Sequence, residues 1–212
     1  MDTRIPEMTV RTLVERLATS DPAPGGGSAA AVAGAMGAAL VQMVVELTLG
    51  RPAAEGHEET LAEIRTAAAA WQSELINLAE LDANAYDAVV RARRLPRDSE
   101  LARHARSVQV DGAVREATRI PLATAQAASA VLDLAEQAAP VGNRNAISDV
   151  GVAGLLAISA LRGAALNVQI NLPYLTSDET LRNEAAAEIA SLLANADERD
   201  MAVRRAVAER LR

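Results

Sequence analysis

Residues 57–95 read HEETLAEIRTAAAAWQSELINLAELDANAYDAVVRARRL, and their spacing decides the fold class. Leu61, Ile64, Ala68, Trp71, Leu75, Leu78, Asp82, Ala85 and Val89 follow one another in alternating steps of three and four. That period puts them on one seam of an α-helix that faces a partner helix. A half-buried strand would alternate every second residue instead. Neither glycine nor proline interrupts the stretch before Pro96. One member breaks the apolar pattern: Asp82 stands where the seam asks for leucine.

Outward from this helix, prolines and glycines punctuate the rest. A short helix is predicted over 9–18 with Thr9 as N-cap, and a second over 28–49, closed by Gly50 and Pro52. Helices are predicted over 98–119 and over 121–139, the latter opening on Pro121. The next starts at 145 or 148 and runs to 170, before Pro173. Thr176-Ser177-Asp178-Glu179 reads as a capping box for a last helix reaching 210. The expectation is an all-α chain: a multihelical bundle of about seven helices, one domain over residues 1–212.

Composition agrees. Half the residues are hydrophobic, yet Trp71, Tyr86 and Tyr174 are the only aromatics. Alanine carries much of the apolar content. It favours helix and lets backbones approach closely, whereas a sandwich or barrel would want β-branched and aromatic residues. Without cysteine, and with only His57 and His104, disulfides, thiolate sites and multi-histidine metal sites are excluded within one chain; no metal is expected. A net charge of −7 argues against nucleic acid as a partner. All 21 basic residues are arginine, so lysine Schiff-base chemistry is unavailable. The polar first residues lack a signal pattern, which points to the cytoplasm. The apolar run 29–45 is expected as a buried core helix and not a membrane span.

Four constellations could carry chemistry. Pro24-Gly25-Gly26-Gly27-Ser28 feeds a helix; missing Cβ atoms let a ligand lie on the backbone, and free N–H groups favour an anion or carbonyl oxygen. The bland alternative is a tight turn. Asp82 in the seam has lost water: burial would raise its pKa toward proton-transfer use, and a cationic neighbour would lower it. Tyr86 lies one turn along the same face. Asn143, Asn145, Ser148 and Asp149 crowd the loop before an apolar helix, where capping needs only one of them. Asn167 and Asn171 are four apart and share one helix face, where amides bond either a ligand or another backbone.

Taken in order, residues 17–28 (LATSDPAPGGGS), 48–50 (TLG), 142–149 (GNRNAISD) and 161–168 (LRGAALNV) resemble the cyclodeaminase/cyclohydrolase family, and residues 81–89 (LDANAYDAV) fit its pattern. The family includes the C-terminal domain of formiminotransferase-cyclodeaminase and bacterial methenyltetrahydrofolate cyclohydrolases. The resemblance implies a helical homodimer that acts on a tetrahydrofolate derivative and needs no cofactor. It assigns Asp82 and Asp149 to catalysis. Pro24, Gly26, Gly27, Ser28, Arg51, Tyr86, Asn143, Asn145, Ser148 and Asn167 would bind the folate. With no formiminotransferase segment in the chain, the expected reaction is hydrolysis of the methenyl bridge; ring closure with ammonia release, and folate binding without turnover, are the alternatives. One departure stands out: the family's lysine followed by an aromatic is Arg51-Pro52-Ala53 here. Arginine keeps the charge but does not give up a proton.

Overall fold

The seam read from residues 57–95 is the floor of the core. A computed structural model describes residues 4–212, and in it Leu61, Ile64, Ala68, Leu75 and Leu78 are buried along helix α3, Glu58–Arg93. Among the described residues there are seven α-helices and no strand. The others are α1 (Val10–Leu17), α2 (Gly26–Thr48), α4 (Glu100–Ala138), α5 (Ile147–Asn171), α6 (Glu179–Ala194) and α7 (Ala196–Arg210). Thr9 caps α1 by accepting from the Thr12 N–H, and Asp178 caps α6 by accepting from Leu181.

Four long helices share one core: α2 packs on α3 and α5, and α4 closes the ring against the same two. Alanine and glycine set how close they come. A Cβ on Gly37 of α2 would lie 3.1 Å from the Ala153 carbonyl of α5. Gly34 meets Ala160, and Gly163 meets Ala30. Those contacts also show that α2 and α5 run antiparallel along their length. Both are long and apolar enough to cross a membrane by length and composition, and about half of each apolar window (56% and 50%) is buried inside the bundle.

Two helix boundaries differ from the sequence reading. Residues 98–119 and 121–139 are one helix, α4, with Pro121 buried inside it. Proline in a helix leaves the carbonyl four residues back without a donor. Here the side-chain amide of Asn171 donates to that oxygen, on Ala117, at 2.7 Å, so a tertiary contact replaces the lost bond. The predicted last helix is instead two, broken at Asn195. The break lets α7 fold back onto α4. Arg199 there donates to the Ser129 hydroxyl and carbonyl and pairs with Asp133. Val203 and Val207 are buried beside Gly154 and Gly151 of α5.

Candidate functional site

The loop before α2 turns through a cis Ala23–Pro24 bond and an extended Gly25, then enters the helix at Gly26. No side chain of its own caps α2. The cap comes from α3. The Asp82 carboxylate accepts from both the backbone N–H and the hydroxyl of Ser28, the latter at 3.0 Å. The same hydroxyl lies 2.9 Å from the Ala79 carbonyl, so its single proton divides between two acceptors. Asp82 thus sits on the positive end of the α2 dipole. Gly27 makes room for it: a Cβ there would overlap the carboxylate.

Burial nevertheless wins. It pushes the Asp82 carboxyl above its ordinary value of 3.8, with the two Ser28 bonds pulling the other way. A carboxylate that is half-buried and held by donors, with its pKa raised above the ordinary value, suits both proton acceptance and stabilisation of a cation.

Asp82 faces a cavity of about 330 Å³ between α2, α3 and α5, with the α4 residue Ala117 at its edge. Gly26, Gly27, Tyr86 and Asn167 line it, as does Tyr174 from the short turn after α5. Asn167 spends its amide N–H on the Gly163 carbonyl, which leaves its oxygen for a ligand. Ser28 is fully buried and does not line the cavity; its hydroxyl donates to Asp82, which does. Pro24 is buried too and fixes the loop from behind, beside a neighbouring shallow cleft.

The remaining sequence-derived site residues lie elsewhere. Asn143 is buried at the C-terminal end of α2. It receives the Asn145 N–H on its oxygen, donates its amide to the Leu47 carbonyl and its backbone N–H to Thr48. All three contacts are structural. Asn145 and Ser148 are exposed beside it, Asp149 is half-buried in the first turn of α5, and Arg51 is exposed just past α2. Twenty residues of straight helix separate Ser28 from Thr48, about 30 Å. Within one chain the two groups sit at opposite ends of α2.

The family model described as formiminotransferase-cyclodeaminase matches residues 9–191, taking in both ends of α2 and every residue that lines the cavity.

The chain belongs to the formiminotransferase-cyclodeaminase family.

Its relatives differ in length. Methenyltetrahydrofolate cyclohydrolase of Methylorubrum extorquens is 42% identical over 89% of this chain and 90% of its own. Formimidoyltransferase-cyclodeaminase of Sus scrofa is 33% identical over 88% of this chain, which is only 34% of that protein. The solved formiminotetrahydrofolate cyclodeaminase of Thermotoga maritima superposes with a TM-score of 0.86 at 26% identity, over 97% of this chain and 98% of that one.

Two cavity residues escape the motif reading of this family member. Arg93 continues the Asp82–Tyr86 face by a further seven residues, and its guanidinium stacks over the Tyr174 ring, 5.1 Å from the centroid. The signal for Tyr174 was scarcity: in a chain with three aromatics, two line one cavity. Among the described residues, no three His, Cys, Asp or Glu side chains gather as a metal site.

Proposed function

We propose that this protein hydrolyses 5,10-methenyltetrahydrofolate to 10-formyltetrahydrofolate, in the cytoplasm, as a homodimer whose two sites are each shared between protomers. The observation that carries the chemistry is Asp82, the one carboxylate among the described residues that lines the cavity. The methenyl bridge is an amidinium-like cation. Asp82 stabilises it, then takes a proton from the water that attacks its carbon. The carbon–N5 bond breaks, N5 takes up a proton, and the formyl group stays on N10. Cation and water go to product and one proton, so nothing else is consumed. Tyr86 and Tyr174 offer flat faces to the ring system, and the free oxygen of Asn167 accepts from a ring N–H.

The homodimer is supported by what α2 and α5 leave uncovered. Met36, Met43 and Leu47 of α2 are exposed, and so are Val152, Leu155 and Leu166 of α5. On α5 this stripe continues through Ile170 to the cavity mouth. Adjacent apolar rows of this length ask for a partner, and a two-fold contact buries the same patch on both copies. An axis across the middle of α2 runs the partner's α2 antiparallel. It turns the Asn145–Ser148–Asp149 end and Arg51 of one protomer toward the glycine end of the other. Asp149 then serves opposite Asp82, and Arg51 supplies charge without proton transfer.

The 42% identity to a cyclohydrolase over nearly the full length of both proteins favours hydrolysis. The 0.86 superposition on a solved cyclodeaminase favours ring closure of 5-formiminotetrahydrofolate with loss of ammonia. Purified protein given each substrate separates them: loss of methenyl absorbance faster than ammonia release is expected. Faster ammonia release reverses the choice, and tight folate binding without either reaction leaves a binding protein.

A further inference from the structure

Among the described residues that line the cavity, one side chain besides Asp82 carries a full charge, and it sits at the other end. Arg93 lies eleven residues beyond Asp82 on α3, about 16 Å along the helix, with Tyr86 and Val89 between them on the same face. Steps of four, three and four keep all four on one stripe. The Arg93 backbone is tied down, since its carbonyl accepts from Arg106 Nε at 3.2 Å. Its guanidinium has no carboxylate within ion-pair distance among the described residues; its contact is the Tyr174 ring. A cation stacked on an aromatic face keeps its N–H edge free and held in one plane.

We infer that Arg93, positioned by Tyr174, is the anion clamp that orients the substrate and selects folates over tail-less pteroates. This rests on the folate reading above. With the bridge at Asp82, a folate extends in two directions: a flat, uncharged pterin one way and an aminobenzoyl ring ending in glutamate carboxylates the other. The carboxylate end is repelled by Asp82 and attracted by Arg93. The tail therefore runs along Tyr86 and Tyr174 to the guanidinium. The pterin points back across the glycine turn, toward the face assigned to the partner. A guanidinium takes a carboxylate through two parallel N–H donors, so each added tail carboxylate within reach strengthens the same contact.

The test compares tetrahydrofolate with tetrahydropteroate, which lacks the glutamate, by equilibrium binding to wild-type protein, Arg93→Gln and Arg93→Lys, with turnover of methenyltetrahydrofolate recorded alongside. Wild-type protein should prefer the glutamate-bearing ligand by about tenfold, the ~1.4 kcal/mol scale of one charge-assisted contact. Arg93→Gln should lose that preference and Arg93→Lys keep part of it. An undiminished preference in Arg93→Gln overturns the assignment, as does equal binding of both ligands by a wild-type protein that turns over methenyltetrahydrofolate. In either case the folate reading stands. Wild-type protein that binds neither ligand overturns both.

Discussion

The carboxylate of Asp82 occupies the space that a side chain on Gly27 would need: a Cβ there would fall 2.2 Å from Oδ1 and 2.6 Å from Oδ2. Gly27→Ala should therefore act on the site and spare the fold. Alanine favours helix over glycine by about 1 kcal/mol, and the group that must yield is the end of a short side chain. The displaced carboxylate should cost about 100-fold in kcat/KM, the scale of a misplacement near 1 Å. Circular dichroism should show unchanged helix content.

Asp82→Asn separates activity from stability. Burial raises the Asp82 pKa, so between the ordinary value of 3.8 and the higher folded value the native chain holds a proton that the unfolded chain has lost. Ionising Asp82 thus costs native stability as pH rises through that window, and the cost is constant above it. The asparagine variant should be at least as stable as wild type at neutral pH, by a margin that shrinks to nothing as pH falls below the window. Its turnover should drop by about 100-fold or more. Melting curves and rates at matched pH check both, and the acid limb of wild-type kcat/KM should lie above the ordinary carboxylate range.

Asn171 and Pro121 should be energetically coupled. Asn171→Leu strands the Ala117 carbonyl, at a cost of about 1–3 kcal/mol, or roughly 2–4 °C of melting temperature per kcal/mol for a chain of this size. Pro121→Ala restores a helical N–H to that carbonyl. In the double variant the asparagine loss should cost much less than it does alone, which a double-mutant cycle by thermal melts measures.

These pairs mark where the sequence was legible. The seam from Leu61 to Val89 was readable because a three-four period has one physical meaning, and Asp82 stood out by violating it. The glycine turn was readable only in part: missing Cβ atoms signalled a close approach or a tight turn, and the group that comes against Gly27 is the Asp82 carboxylate of the chain itself. Pro121 was misread because local rules end a helix there, and the amide that permits it lies fifty residues away in sequence, on α5. The break at Asn195 depends on what Arg199 can reach on α4. Motif order brought the Asn143–Asp149 loop and the glycine turn into one list, yet α2 is a rod that keeps them apart. Periodicity along a chain carries nothing about a second copy of it.

The exposed α5 row tests the pairing of protomers. Leu155 is exposed in the single chain and central in the proposed contact. Leu155→Glu should leave the monomer folded, shift the mass seen by light scattering from dimer to monomer, and remove turnover with it. A dimeric, active variant places the contact elsewhere.

The most direct measurement mixes two inactive proteins. If each site joins Asp82 of one protomer to Asp149 of the other, a dimer of Asp82→Asn with Asp149→Asn has one site with both changes and one intact. Co-refolded in equal amounts, half the dimers are mixed, and about a quarter of wild-type turnover should return. Mixed dimers that form and show no recovered activity contradict the shared site.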